Sequence, residues 1–145
     1  MNFYFSHGRT AFKYGLKHLN LKKNDKILLP EYICDVLLDP LNQLKIKPIF
    51  YQINPDFTCN LNSIKMKFNE SVKALLIINY FGFEEDKIAL KKFSKKKNIF
   101  LIEDDCHSMK FNKRNLKEIA DLTFNSPKKI MKSTYSGGIL RINKK

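Results

Sequence analysis

The sequence has no tryptophan and only five glycines, five prolines and three cysteines in 145 residues. Cys34, Cys59 and Cys106 are far apart and odd in number. That excludes a complete disulfide framework and any CxxC metal knuckle, and it fits a reducing, cytoplasmic setting. Neither GxGxxG nor GxxxxGK[ST] occurs, which counts against a dinucleotide fold or a P-loop. No apolar run approaches the roughly 20 residues needed to cross a bilayer. The segment Met1–His7 has neither a basic region nor a long apolar stretch, so nothing in it marks the chain for secretion. No membrane partner is expected.

Acidic residues are also scarce, 14 against 27 Lys and Arg, for a formal net charge of +13. Three of those cations are arginine (Arg9, Arg114 and Arg141), leaving 24 lysines. Specific readers of bases and phosphates favour the planar guanidinium, so a lysine surplus is a weak argument for nucleic acid. The lysines are scattered in pairs and one triplet, at Lys22-Lys23, Lys91-Lys92, Lys95–Lys97, Lys128-Lys129 and Lys144-Lys145. They suit solvated helix ends and loops. Non-specific binding to polyanions, collapsing with salt, is the weaker reading.

What is present is a globular core: 43% hydrophobic and 12% aromatic residues in a chain of single-domain length. Short apolar runs alternate with amphipathic stretches. Helical spacing is expected over Arg9–Leu19, over Ile33–Leu44 with a kink at Pro40, over a short segment capped by Asn60 and running to Phe68, and over Glu84–Lys97. Strands are expected at Lys26–Leu29, Pro48–Tyr51, Ala74–Asn79, Asn98–Ile102, Leu122–Phe124 and Gly138–Ile142, with a turn at Asn54–Asp56. Strands separated by helices imply an α/β fold: a mainly parallel sheet with helices on both faces, in three layers.

In such a sheet, ligands sit beyond the carboxyl ends of the strands. Three places qualify. Ser6–Ala11 is a small, polar turn entering a helix, suited either to an anion or to ordinary capping by Ser6. Glu103-Asp104-Asp105 follows an apolar strand and precedes His107. Alternation puts Asp104 on the face opposite Glu103 and Asp105, although a solvated acidic loop is an equal alternative and a metal site a rival. The third is Ser126-Pro127-Lys128-Lys129, with Gly137-Gly138 beyond it. There, burial beside Lys128 and Lys132 would lower the pKa of Lys129 towards a neutral, nucleophilic amine. In this chain order, a phosphate cradle, a strand-end carboxylate and a lysine are what pyridoxal 5'-phosphate requires.

The sequence resembles the DegT/StrS family of nucleotide-sugar aminotransferases, of the aspartate-aminotransferase fold type. The resemblance rests on Ser6–Phe12, on Lys26–Cys34, on Tyr80-Phe81-Gly82, on Leu101–His107, and on Ser126–Lys129 followed by Gly137-Gly138. It implies that Arg9 and Thr10 contact the cofactor phosphate through backbone amides and the Thr10 hydroxyl, and that Ser126 completes that site. It implies that Asp104 pairs with the pyridine nitrogen and that His107 lies near the phenolic oxygen. Lys129 would hold the cofactor aldehyde as a Schiff base and then carry the proton of the α-carbon. The aromatic that stacks on the ring would be Tyr32, or Cys34 would stand in its place.

The implied parent reaction moves an amino group from an amino acid, glutamate in the usual case, to a keto-sugar nucleotide for cell-surface glycan synthesis, in a homodimer. Family chains are much longer. The expectation is therefore a partial cofactor-binding large domain over 1–145, lacking the C-terminal small domain, and the alternative is an inactive fragment serving only as an interaction module. Asp105-Cys106 stands where the family has small residues, which would add a charge near the ring.

Overall fold

A computed structural model describes residues 1–83, 85–108, 119–131 and 134–143. Glu84, Lys132 and the Lys144-Lys145 pair, all part of the sequence reading, lie outside the described residues. Seven strands form one sheet: β1 (Asn2–Phe5), β2 (Lys26–Pro30), β3 (Lys47–Tyr51), β4 (Val72–Ile78), β5 (Phe100–Asp104), β6 (Leu122–Asn125) and β7 (Gly138–Ile142). Their spatial order is β1-β7-β6-β5-β4-β2-β3. The run from β3 to β6 is parallel, and β7 and β1 join antiparallel at one edge.

Strand alternation sorts the apolar residues into two cores. Ile27, Leu29, Leu76, Ile102 and Phe124 point to one face. There they meet Ala11, Phe12 and Leu16 of helix α1 (Gly8–His18) and Leu41 of helix α2 (Leu38–Leu44). Leu28, Leu75, Ile77 and Leu101 point to the other, against Ile64 of α3 (Leu61–Lys67) and Leu90 and Phe93 of α4 (Lys87–Lys96). Strands buried on both faces read as continuous hydrophobic runs, which is why β4 and β5 are so apolar. The three-layer α/β expectation holds.

Several element boundaries differ from the sequence reading for identifiable reasons. The stretch Ile33–Leu44 is not one kinked helix: a 3-10 turn at Asp35–Leu37 leads into α2. Pro40 falls in the first turn of α2, where its missing N–H has no helical acceptor to lose, so it causes no kink. The capping by Asn60 is as expected, its side chain accepting from Ser63 N–H at 3.0 Å, and Asp86 does the same for α4 through the N–H groups of Ile88 and Ala89. Strand β5 runs two residues further than its apolar run, through Glu103 and Asp104. Strand β1 has no counterpart in the sequence reading, because its pairing partner, Gly138–Arg141, lies at the far end of the chain.

Candidate active site

The carboxyl end of β5 separates three consecutive acids. Asp104 points to the α1 side and is 4% exposed, its Oδ1 accepting the Cys106 backbone N–H at 2.9 Å. Burial pushes its pKa up, opposed by that hydrogen bond and by the nearby Lys129 and His107. Glu103 points to the α4 side, where it pairs with Lys87 and accepts from Asn79 Nδ2 at 2.6 Å. The same Asn79 nitrogen donates to Asp105 at 2.8 Å. This is no solvated acidic loop. Nor does Asp105 bring a charge to the cavity, because Asn79 holds it on the side of Glu103.

At the start of α1 the helix-entry residue is His7, not Ser6. It has an extended backbone and no capping side-chain bond. Its Nδ1 lies 3.0 Å from Ser6 Oγ instead. The Thr10 and Ala11 N–H groups both go to the His7 carbonyl at 3.1 Å, while the helix itself has no acceptor for those of Gly8 and Arg9. The Arg9 side chain is exposed and Thr10 is half-buried.

Gly8 sits against the site's other elements: a Cβ there would lie 3.1 Å from Ser126 Cβ and 3.4 Å from Cys106 Sγ. Ser126 is 4% exposed and donates to the Gly137 carbonyl at 3.3 Å. Gly137 in turn donates to the Ser6 carbonyl at 2.7 Å. Gly138 has no room for a side chain, because a Cβ would meet the His7 carbonyl oxygen at 2.1 Å. The glycine pair therefore lets β7 start directly beneath the α1 terminus.

Lys129 ends a 3-10 turn, Pro127–Lys129, whose N–H it closes onto Ser126 O at 3.0 Å. Its Nζ lies 3.4 Å from His107 Nε2. The burial expected for Lys129 is not observed; both it and Lys128 are exposed. Among the described residues, the ionisable groups near Lys129 include His107 and Asp104, and Lys132 lies outside those residues. His107 is held below the usual histidine range by burial and then by Lys129, against the pull of Asp104. Lys129, His107 and Asp104 line a cavity of about 230 Å³ whose other walls include Ile78, Tyr80, Tyr32 and Cys34. Both candidates for the ring-facing position thus line it.

Tyr80, Phe81 and Phe57 join the site without a role expected from the sequence. Tyr80 is buried and its hydroxyl donates to the Tyr32 carbonyl, fixing the loop after β2 over the cavity. Phe57, Tyr80 and Tyr32 lie with ring centroids 5.7–6.0 Å apart. The signal available was Tyr80-Phe81-Gly82 directly after the most apolar strand. Among the described residues, no three His, Cys, Asp or Glu side chains are grouped to hold a metal, and no helix is long and apolar enough to cross a membrane.

The residues present fit pyridoxal phosphate on structural grounds. A helix N-terminus without a side-chain cap packs against the buried Ser126 at Gly8, where a Cβ would lie 3.1 Å from Ser126 Cβ. A buried carboxylate and an amine line one cavity next to it. The sheet and this site together define the core of an aminotransferase-type α/β protein. The chain belongs to the DegT/DnrJ/EryC1/StrS aminotransferase family, whose sequence profile matches residues 4–145.

Among curated proteins it is similar to GDP-4-keto-6-deoxy-D-mannose 3-dehydratase of Yersinia pseudotuberculosis, 30% identical over 94 residues (64% of this chain, 24% of that protein). GDP-perosamine synthase of Escherichia coli O157:H7 is 23% identical over 100 residues, 68% of this chain and 28% of that protein. The chain spans about a quarter of the length of these relatives. Among solved structures, the Psychrobacter cryohalolentis aminotransferase aligns with a TM-score of 0.87 at 18% identity, over 99% of this chain and 38% of its own. NtdA of Bacillus subtilis, solved with bound PMP, aligns with a TM-score of 0.89 at 21% identity, over 99% of this chain and 33% of its own.

Proposed function

We propose that this chain forms the cofactor-binding core of a pyridoxal-phosphate-dependent aminotransferase acting on a keto-sugar nucleotide in cell-surface glycan synthesis. The observation that carries the reading is that Asp104 and Lys129 line one cavity while the α1 terminus and Ser126 converge beside it. Bound pyridoxal phosphate supplies a carbonyl for amines and an aromatic electron sink.

The chain's residues do the rest. The Arg9 N–H, the Thr10 hydroxyl and Ser126 would hold the phosphate, where a helix N-terminus favours negative charge; the Thr10 N–H is instead bonded to the His7 carbonyl. The Asp104 carboxylate, raised in pKa by burial, would pair with the ring nitrogen and keep it protonated. Lys129 would supply the amine for the cofactor aldehyde and a base for the α-proton, and His107 would lie near the phenolic oxygen. Tyr32 or Cys34 would lie against the ring.

Glutamate is the expected amino donor, and a homodimer the expected assembly. The sugar-nucleotide class is supported by the curated relatives, a dehydratase and a synthase named for GDP-sugars. The three unpaired cysteines agree with a cytoplasmic setting.

The test is a spectrum. Adding pyridoxal phosphate to the purified chain should produce a visible absorbance band, and borohydride should fix the cofactor on Lys129, read by peptide mass. Equal fixation in Lys129→Ala would overturn the assignment. No band at all would leave an interaction module without chemistry.

A further inference from the structure

Phe81 occupies the middle of the Tyr80–Gly82 turn with φ +53°, in the left-handed region that a bulky side chain rarely adopts. Burial is not its compensation, because the residue is 60% exposed. What the conformation achieves is a placement: the ring lies on the His107 imidazole, centroids 5.9 Å apart and planes within 21°. The next residue, Gly82, also left-handed, keeps the turn close to His107, with its Cβ position 3.5 Å from the His107 carbonyl oxygen.

Behind Phe81 stands Phe57, a second phenylalanine with left-handed backbone (φ +65°), edge-on to it at 5.2 Å and 84°. Strained residues persist where surrounding structure holds them, and they cluster at functional sites. Here two of them end in one ring stack, and the stack ends on the histidine whose Nε2 lies 3.4 Å from Lys129 Nζ.

We infer that Phe81, braced by Phe57, is a positioning residue that fixes the plane of His107 and so holds its Nε2 against Lys129. The inference rests on the proposed cofactor site and adds a role to a residue outside the phosphate cradle and the Asp104–Lys129 pair. His107 is exposed, and the ring of Phe81 covers one face of its imidazole; among the described residues, Lys129 and Asp104 are the charged groups near it. Removing the ring therefore admits water, which favours the imidazolium.

The experiment is an NMR titration of His107 in the cofactor-free full chain, paired with the rate of borohydride fixation of pyridoxal phosphate on Lys129. Phe81→Asn is the informative variant, because asparagine accepts the left-handed backbone and lacks the ring. Its His107 midpoint should rise by about half a pH unit or more, and fixation should slow several-fold. Phe81→Tyr, which keeps the ring, should restore both. Phe81→Gly removes ring and strain together and must shift the midpoint in the same direction.

An unchanged or lower midpoint in the ringless variants overturns the role of Phe81. A chain that shows the His107 shift but never takes up cofactor retains this positioning and loses the proposed function. One that takes up cofactor without the shift does the reverse.

Discussion

The Cys106 backbone N–H donates to Asp104 Oδ1 across the end of β5 at 2.9 Å. That bond turns the carboxylate into the α1-side cavity and keeps it hydrogen-bonded at 4% exposure. It does not offset the cost of burial, since the pKa of Asp104 remains raised. A raised folded-state pKa means that the folded chain holds the proton more tightly than the unfolded chain. The stability this contributes is present below the ordinary aspartate range and lost as pH rises through the folded-state value.

Asp104→Asn is therefore expected to be at least as stable as the parent at neutral pH, since asparagine can still accept from Cys106. Its advantage in melting temperature should grow between about pH 4 and neutrality. The same variant should take up pyridoxal phosphate less tightly at the proposed site, because a neutral amide cannot hold the ring proton. Melting curves across pH, with spectroscopic titration by pyridoxal phosphate at neutral pH, check both halves. An advantage that shrinks with rising pH would contradict the burial argument.

Ser126→Ala removes a buried hydroxyl beside Gly8. A hydrogen bond to a charged group contributes about 1.5–3 kcal/mol, so the affinity for pyridoxal phosphate should fall about tenfold or more. Pyridoxal without its phosphate should bind parent and variant alike. Spectroscopic titration with the two ligands separates a phosphate contact from a general loss of structure.

Gly138→Ala would force a methyl group to within 2.1 Å of the His7 carbonyl oxygen and 2.7 Å of the Gly8 nitrogen. Both are backbone atoms of the α1 entry and cannot swing aside. A loss of about 1–3 kcal/mol in urea unfolding is expected, together with weaker cofactor uptake. Gly8→Ala meets only the Ser126 Cβ and neighbours at 3.1 Å and beyond, so its effect should fall mainly on cofactor affinity.

Asn79→Ala deprives Glu103 and Asp105 of the amide nitrogen they share. The destabilisation at neutral pH should be about 2 kcal/mol. Asp105 is raised in pKa by burial and held down in part by Asn79, so its pKa should climb further in the variant. A higher folded-state pKa contributes least at high pH. The gap between variant and parent should thus narrow as pH falls through the carboxylate range, which denaturation at two pH values will show.

The parts of this protein written into its sequence are those that depend on near neighbours. The unbroken apolar runs of β4 and β5 announce a sheet covered on both faces, and Asn60 announces its helix by accepting the N–H of Ser63, three residues on. Strict alternation along β5 placed Asp104 opposite Glu103. The order of cradle, acid and lysine along the chain was enough to name a chemistry.

Tertiary packing decided what lies beyond that local range. Strand β1 exists because Gly138–Arg141 offers it an antiparallel edge. Asp105 faces away from the cavity because Asn79, 26 residues earlier, captures it. Lys129 meets His107, 22 residues earlier, and Phe81 takes a left-handed backbone that places its ring on that histidine. Side-chain period is a property of consecutive residues, whereas these partners are brought together only when the crossovers close the sheet. Until then, no spacing along the chain encodes their distance.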